Sequence, residues 1–221
     1  SYSCIYCQVG RTDQMTITPR ELYPPEQIFM ETEAIADQLD SNNGKIDYIT
    51  FVSDGEPTLD LHLGREIDLL RSLEIKIAVI SNASLVWQTA VRDNLAEADW
   101  VSLKVDSVSE TQWQKINRPH RQLQLDEILR GIQEFAKSFS GILTTETMLV
   151  EGVNEQQSSL IETAKFIAEL NPASSYISIP TRPPAEPEVH PAEETNINLA
   201  FQIFKDHVEK VELLIEYEGD Q

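Results

Sequence analysis

Residues 46–73 read IDYITFVSDGEPTLDLHLGREIDLLRSL and carry one complete structural unit. IDYITFVS is a near-continuous apolar run rich in β-branched and aromatic residues, the pattern of a strand buried on both faces. LHLGREIDLLRSL has apolar residues at helical spacing. Between them, SDGEPTLD holds Gly55 and Pro57, which end the strand and turn the chain. Toward the C-terminus the unit repeats. IKIAVIS (75–81), DWVSLKVD (99–106), ILTTETMLV (142–150) and SYISIP (175–180) read as strands. Helical patterns follow them over 85–98, 125–139, 155–170 and 195–211, and VELLIEYE (211–218) reads as a last, shorter strand. Toward the N-terminus, 24–39 reads as a helix opening at Pro24-Pro25 and stopped by Asn43-Gly44. Strict alternation of strand and helix predicts an α/β fold with parallel strands inside and helices outside, as one domain over 1–221.

In such folds chemistry gathers on the loops after the strands' carboxyl ends. Those loops are 53–60, 81–84, 104–107, 150–155 and the proline-rich 180–186. CIYCQVGRT (4–12) stands where a first strand-to-helix loop belongs. No strand precedes it in the sequence, so the chain is expected to be a fragment lacking its first strand.

The 221 residues carry 17 Lys+Arg against 37 Asp+Glu, a formal charge of −20. That balance disfavours tight binding to nucleic acid, which relies on clustered Lys and Arg. No run approaches the ~18 apolar residues that a bilayer requires, so no membrane partner is expected. Only two cysteines occur, Cys4 and Cys7, which is no secreted disulfide framework and points to a reducing, cytoplasmic setting.

Two cysteines with this spacing admit four readings: isolated structural residues, a redox pair, half of a zinc site, or part of an iron–sulfur ligand set. A thioredoxin-like redox fold needs mixed strands, which the regular alternation disfavours. His62, His120, His190 and His207 are scattered and complete no zinc set. The iron–sulfur reading requires a third thiolate upstream of Ser1. Other candidates lie on the strand ends. Lys104 and Asp106 share one face of a strand and are expected to pair, because such charges are seldom buried alone. Glu146 shares a face with Thr144 and Met148. Ser81 and Asn82 either reach a ligand or cap the next helix. Arg118, His120 and Arg182 sit in loops where a guanidinium can take a carboxylate or phosphate. Trp87, Trp100 and Trp113 read as packing residues, and Gly64, Gly131 and Gly141 as spacing and turn residues.

CIYC, with Tyr6 before the second cysteine, resembles the Cys-x3-Cys-x-aromatic-Cys motif of the radical S-adenosylmethionine (SAM) superfamily, with its first cysteine immediately before Ser1. Asp54-Gly55-Glu56-Pro57 is similar to that superfamily's Gly-Gly-Glu-Pro motif, with Asp54 in place of the first glycine. Together CIYCQVGRT, FVSDGEPTLD, LKVD, NRPH, TETMLV and SIPTRPPAE resemble the iron–sulfur oxidoreductases related to tRNA wybutosine-synthesising enzymes. The resemblance implies a partial (βα)6 barrel, a [4Fe-4S] cluster held by Cys4, Cys7 and the upstream cysteine, and SAM chelating the open iron. It implies an enzyme that takes one electron from an external reductant and cleaves SAM to a 5′-deoxyadenosyl radical acting on an unidentified substrate. A tRNA guanosine modifier and a non-catalytic cluster carrier are the alternatives. Gly55 and Glu56, the latter expected as an exposed carboxylate, would hold the SAM amino group in a loop shaped by Asp54 and Pro57. Tyr6 would lie near the adenine, and Ser81, Asn82 and Glu146 would line the cofactor; Lys104 and Asp106 are the expected catalytic pair, with Lys104 able to reach the SAM carboxylate.

Overall fold

The computed structural model describes residues 1–41, 44–52 and 55–215. In chain order the elements are α1 (Pro25–Ser41), β1 (Tyr48–Phe51), α2 (Leu63–Leu70), β2 (Lys76–Ser81), α3 (Thr89–Leu95), β3 (Trp100–Lys104), α4 (Glu110–Asn117), α5 (Leu125–Ser138), β4 (Ile142–Met148), α6 (Gln157–Glu169), β5 (Ser174–Ser178), α7 (Glu194–Lys205) and β6 (Val211–Leu214). The six strands form one sheet in the order β1-β2-β3-β4-β5-β6. Every neighbouring pair is parallel. Sequential order with right-handed crossovers puts all helices on one side of the sheet, which makes a partial α/β barrel.

The two faces of the strands therefore meet different surroundings. Ile77, Val79, Val101, Leu103 and Ile177 point to the helices and are 0% exposed. They pack in one core with Leu63, Ile67, Ile128, Ile132, Phe135, Ala164, Ile167 and Phe204. The opposite face carries Ser102 and Lys104 in register with Thr144 and Glu146. It also carries Ile80 and Ile142, which are 37% and 40% exposed. Burial on both faces, expected from the apolar runs, is complete toward the helices and partial on the inner face, where Ser102 and Thr144 are buried but polar and Ile80 and Ile142 stay open.

The expected strands and helices are present with shifted ends: the first helix runs on to Ser41, and residues 216–218 of the last expected strand lie outside the described residues. The helix expected over 85–98 starts only at Thr89, because Leu85 and Val86 plug the core from a turn. Helix α5 crosses this turn so closely that a Cβ on Gly131 would stand 2.6 Å from Trp87 N and Val86 O. One helix, α4, is additional. It is eight residues long and buries Trp113, Ile116 and Asn117. So few apolar positions make no clear periodic signal. Trp113 is packed in the core as expected. No helix among the described residues is long and apolar enough to cross a membrane.

A cavity of ≈ 240 Å³ lies against β1 between α1 and α2, lined by Ile28, Ile49, Phe51, Leu63, Leu70, Asp60 and Glu66 among others. Glu66 is 3% exposed, and its Oε1 has no hydrogen-bond partner. Burial, then the charge of Asp60, pushes this carboxyl from 4.5 up to about 7. Below the lower value the group is neutral whether folded or unfolded. Above the upper one, folding confines an unpaired charge. Its penalty therefore grows as pH rises between them. Glu66→Gln is expected to raise unfolding stability by about 1–3 kcal/mol at pH 8, with the gain shrinking toward pH 5. Urea unfolding at both pH values checks this; equal gains would mean that Glu66 does not titrate in this window.

Candidate functional site

The cysteines lie on a loop that α4 holds in place. The last carbonyls of a helix have no partner within it, and the N-terminal segment supplies donors. Ile5 N–H donates to Ile116 O at 2.9 Å and Ser3 N–H to Asn117 O at 3.0 Å. His120 N–H donates back to Ser1 O at 2.9 Å. Cys7 N–H then donates to Cys4 O at 3.1 Å, a single turn that folds the two cysteines together, and Gly10 closes the next turn with φ +97°. Burial, reinforced by the nearby charge of Asp106, pushes the Cys4 thiol up to about 11. Asn117 Nδ2 donates to Cys4 Sγ at 3.4 Å and to Asp106 Oδ2 at 2.8 Å.

Asp106, just past the end of β3, is the hub beneath the cysteine turn. Its carboxylate accepts from Tyr6 Oη at 2.5 Å, from Asn117, and from Met148 N–H at 2.9 Å. Asn154 Nδ2 bridges the carbonyls of Asp106 and Met148. Burial raises the Asp106 pKa despite these donors. The pairing expected between Lys104 and Asp106 is corrected. The direct partner of Lys104 is Glu146, at 2.9 Å, because strand pairing sets Lys104 beside Glu146 while Tyr6 and Asn117 occupy Asp106. Ser178 Oγ completes the pair by donating to Glu146 at 2.7 Å. Burial works against the Lys104 charge, yet Glu146 and Asp106 outweigh it and raise its pKa. Burial likewise opposes ionisation of Glu146, and Lys104 overcomes it, so that its pKa falls. Both groups are thus charged at neutral pH. The ammonium also stands 5.0 Å from the Tyr6 ring centroid, a cation–π distance.

Glu56 departs most from expectation. It is 4% exposed rather than solvent-facing. Its Oε1 accepts from Thr58 N–H, Thr58 Oγ1 and Ser81 Oγ at 3.2, 2.7 and 2.6 Å, and its Oε2 from Asn82 N–H at 2.7 Å. The carboxylate caps the short 3-10 turn Pro57–Leu59 and clasps the loop after β1 to the loop after β2. Ser81 and Asn82 do not cap α3, whose N-cap is Gln88. Instead Ser81 Oγ and Asn82 Oδ1 accept from Ala83 N–H and Ser84 N–H, and Asn82 Nδ2 and Ser84 Oγ both reach Ser1 Oγ. The GEP loop and the cysteine segment are therefore connected through residues 81–84.

These parts surround a cleft of ≈ 150 Å³ lined by Val52, Gly55, Glu56, Ile80, Ser81, Asn82, Ser102, Lys104 and Glu146. Tyr6 and Asp106 adjoin it through Lys104. Pro57 instead lines the larger cavity beyond β1. Asp54 lies outside the described residues. Arg118 and His120 lie apart from the cleft: Arg118 pairs with Glu186, and both line a separate pocket with Trp113 and Arg121. Arg182 is exposed. Sequence reading passed over Asn117, Ser102, Asn154, Ser178, Arg11 and Glu186. Of these, Asn117 opens the NRPH motif and Glu186 closes SIPTRPPAE, but neither shows its partner in the chain. Among the described residues no three His, Cys, Asp or Glu side chains gather as a metal site. The donor set that is present, two thiols on one turn, suits iron–sulfur ligation in part.

Comparison with known proteins agrees with this geometry. The family model for the radical SAM superfamily matches residues 1–167. A UPF0026 protein of Methanocaldococcus jannaschii is 46% identical over 223 residues, covering 100% of this chain and 69% of that protein. The chain spans about two-thirds of the length of the curated relatives that it matches first. Among solved structures, SuiB of Streptococcus suis bound to S-adenosylmethionine superposes with a TM-score of 0.69 at 13% identity, over 98% of this chain and 48% of that one. TYW1 with a lysine-pyruvate adduct superposes with a TM-score of 0.64 at 14% identity, over 94% and 70%. These two likenesses establish the shared fold, and the sequence matches go further: the chain belongs to the radical SAM superfamily and, within it, to the UPF0026 proteins.

Proposed function

We propose that this chain is the core of a radical SAM enzyme that cleaves SAM reductively at a [4Fe-4S] cluster, releasing a 5′-deoxyadenosyl radical toward a substrate at the same rim. The observation that carries this reading is the meeting of the Cys4–Cys7 turn and the Gly55-Glu56 loop, linked through Ser1 and Asn82, above a half-buried Lys104–Glu146 pair. Cys4 and Cys7 would hold two irons, and a cysteine immediately before Ser1 would hold a third. When bound, the cluster supplies the electron that breaks the carbon–sulfur bond of SAM, after an external one-electron reductant has loaded it.

The chain's own residues bind and orient. Glu56 fixes the GEP loop, so that backbone groups around Gly55 face the methionine end of SAM. Lys104 is kept charged by Glu146 and is placed to meet a carboxylate in the cleft. Tyr6, anchored on Asp106, presents a ring beside the cysteines against which a purine packs. The apolar side chains Ile5, Val150 and Val153 pack together along one side of the cysteine turn. A cytoplasmic location follows from the oxygen and redox sensitivity of such a centre.

The test uses the full-length protein, reconstituted anaerobically with iron and sulfide. With dithionite and SAM it is expected to yield 5′-deoxyadenosine, and Cys4→Ala and Cys7→Ala should each abolish the product. Protein that retains four irons and makes no 5′-deoxyadenosine would overturn the reading. A second prediction separates the two parts played by Glu56. Glu56→Gln substitutes a donor for one acceptor oxygen where four donors converge. It is expected to lower unfolding stability by about 1–3 kcal/mol and to weaken SAM binding roughly tenfold or more. Urea unfolding and calorimetry on the reconstituted protein check both. Unchanged stability would mean that the carboxylate is no clasp, and unchanged SAM affinity that the clasped loop does not serve the ligand.

A further inference from the structure

Three motifs far apart in the chain meet in one ionic cluster outside the SAM cleft. Arg11 follows the cysteines, Arg118 is the second residue of NRPH, and Glu186 ends SIPTRPPAE. Arg11 forks onto Glu186, Nε to Oε1 at 2.8 Å and Nη2 to Oε2 at 2.7 Å. Arg118 Nη1 also donates to Glu186 Oε1. The carboxylate side chain is 4% exposed, while the arginines are 66% and 44% exposed. Glu186 is thus the enclosed anchor and the arginines close over it. Hydrogen bonds from Arg11 and Arg118 hold its pKa below the ordinary value. Glu188 adds a further negative charge near Arg11.

The backbone around the cluster is fitted to it. Glu186 N–H donates to Ile5 O at 3.2 Å, between the two cysteines' flanks, and Val189 N–H donates to Glu186 O at 3.0 Å. Arg118 ends α4 in the left-handed region, φ 43° and ψ 62°. That conformation is uncommon for a residue with a side chain, and it follows Asn117, which touches Cys4. One carboxylate therefore ties the loop between β5 and α7 to both supports of the cysteine turn. Each of the three loops lacks regular structure to hold it alone.

We propose that Glu186 is a positioning residue: through Arg11 and Arg118 it makes the cysteine turn and the β5–α7 loop close as one unit, so that loosening either loosens the other. The consequence for iron retention rests on the reading of Cys4 and Cys7 as cluster ligands; the coupling of the two loops does not.

The experiment uses full-length protein, Glu186→Gln and Arg11→Gln. The first readout is hydrogen exchange with iodoacetamide alkylation of metal-free protein. Glu186→Gln is expected to raise exchange in 4–10 and 180–189 together and to speed alkylation of Cys7 roughly tenfold, as for a coupling of one decade, while β2, β3 and β4 stay protected. Arg11→Gln changes an exposed side chain and leaves the core intact. It should loosen the same two segments by a smaller factor, which supports the coupling even if Glu186→Gln unfolds. Faster exchange in 180–189 with 4–10 and the alkylation rate unchanged, in either variant that keeps its core, would overturn it. The second readout is the rate at which a chelator strips iron from reconstituted protein, expected to rise in both variants. If wild type takes up no iron, the cluster reading fails while the exchange result still decides the coupling. If wild type holds iron and both variants lose it at the wild-type rate, the positioning role fails.

Discussion

Everything at the site depends on a sheet covered from one side. Sequential parallel strands with right-handed crossovers stack their helices on a single face. That face absorbs the large apolar side chains, and the other is left to line an interior. Polar groups placed there leave water without entering a hydrophobic core, so each must find a partner within the rim. Strand register supplies the first one, by setting Lys104 against Glu146. Loops supply the rest.

Four carboxylates, three of them buried and Glu146 half-buried, show how. Glu56 joins the loops after β1 and β2, and Asp106 joins the end of β3 to Tyr6, Asn117 and Met148. Glu146 joins β3 to β5 through Lys104 and Ser178. Glu186 joins the cysteine loop, the end of α4 and the loop after β5. In a chain with so large an excess of acid, each of these four receives two or more donors. Charge-assisted hydrogen bonds are the stronger kind, and here each spans segments distant in sequence. Glu66 is the contrast: a buried carboxyl with an unpartnered oxygen, its pKa raised by burial, that ties no neighbouring segments together.

The fold was legible because its signals are local. The apolar runs at 75–81 and 99–106 became β2 and β3, and the spacing of Leu125, Ile128, Ile132 and Phe135 became the buried stripe of α5. Helix α4 was missed because Trp113 and Ile116 alone make no period. The turn at 85–88 was read as helix because apolar residues that plug a core and those on a helix stripe look alike over four positions. Around the cleft, Cys4, Cys7, Gly55 and Glu56 drew attention through two short motifs that resemble those of a known family. Glu56 was misjudged as exposed, since nothing in SDGEPTLD reveals that Ser81 and Asn82 close over it.

By itself the sequence determined the alternation of strand and helix, the order of the chemistry-bearing loops along one rim, and the residue types available there. These follow from periodicity and from two short motifs, both properties of neighbours in the chain. Only the tertiary structure decided partnership: that Lys104 faces Glu146 and not Asp106, that Asn117 stands between Cys4 and Asp106, and that Arg11 and Arg118 share Glu186. The reason is physical. A hydrogen bond or ion pair acts over about 3 Å, and which side chains come that close is set by strand register and loop closure across separations of 11 to 175 residues, for which a linear pattern carries no signal.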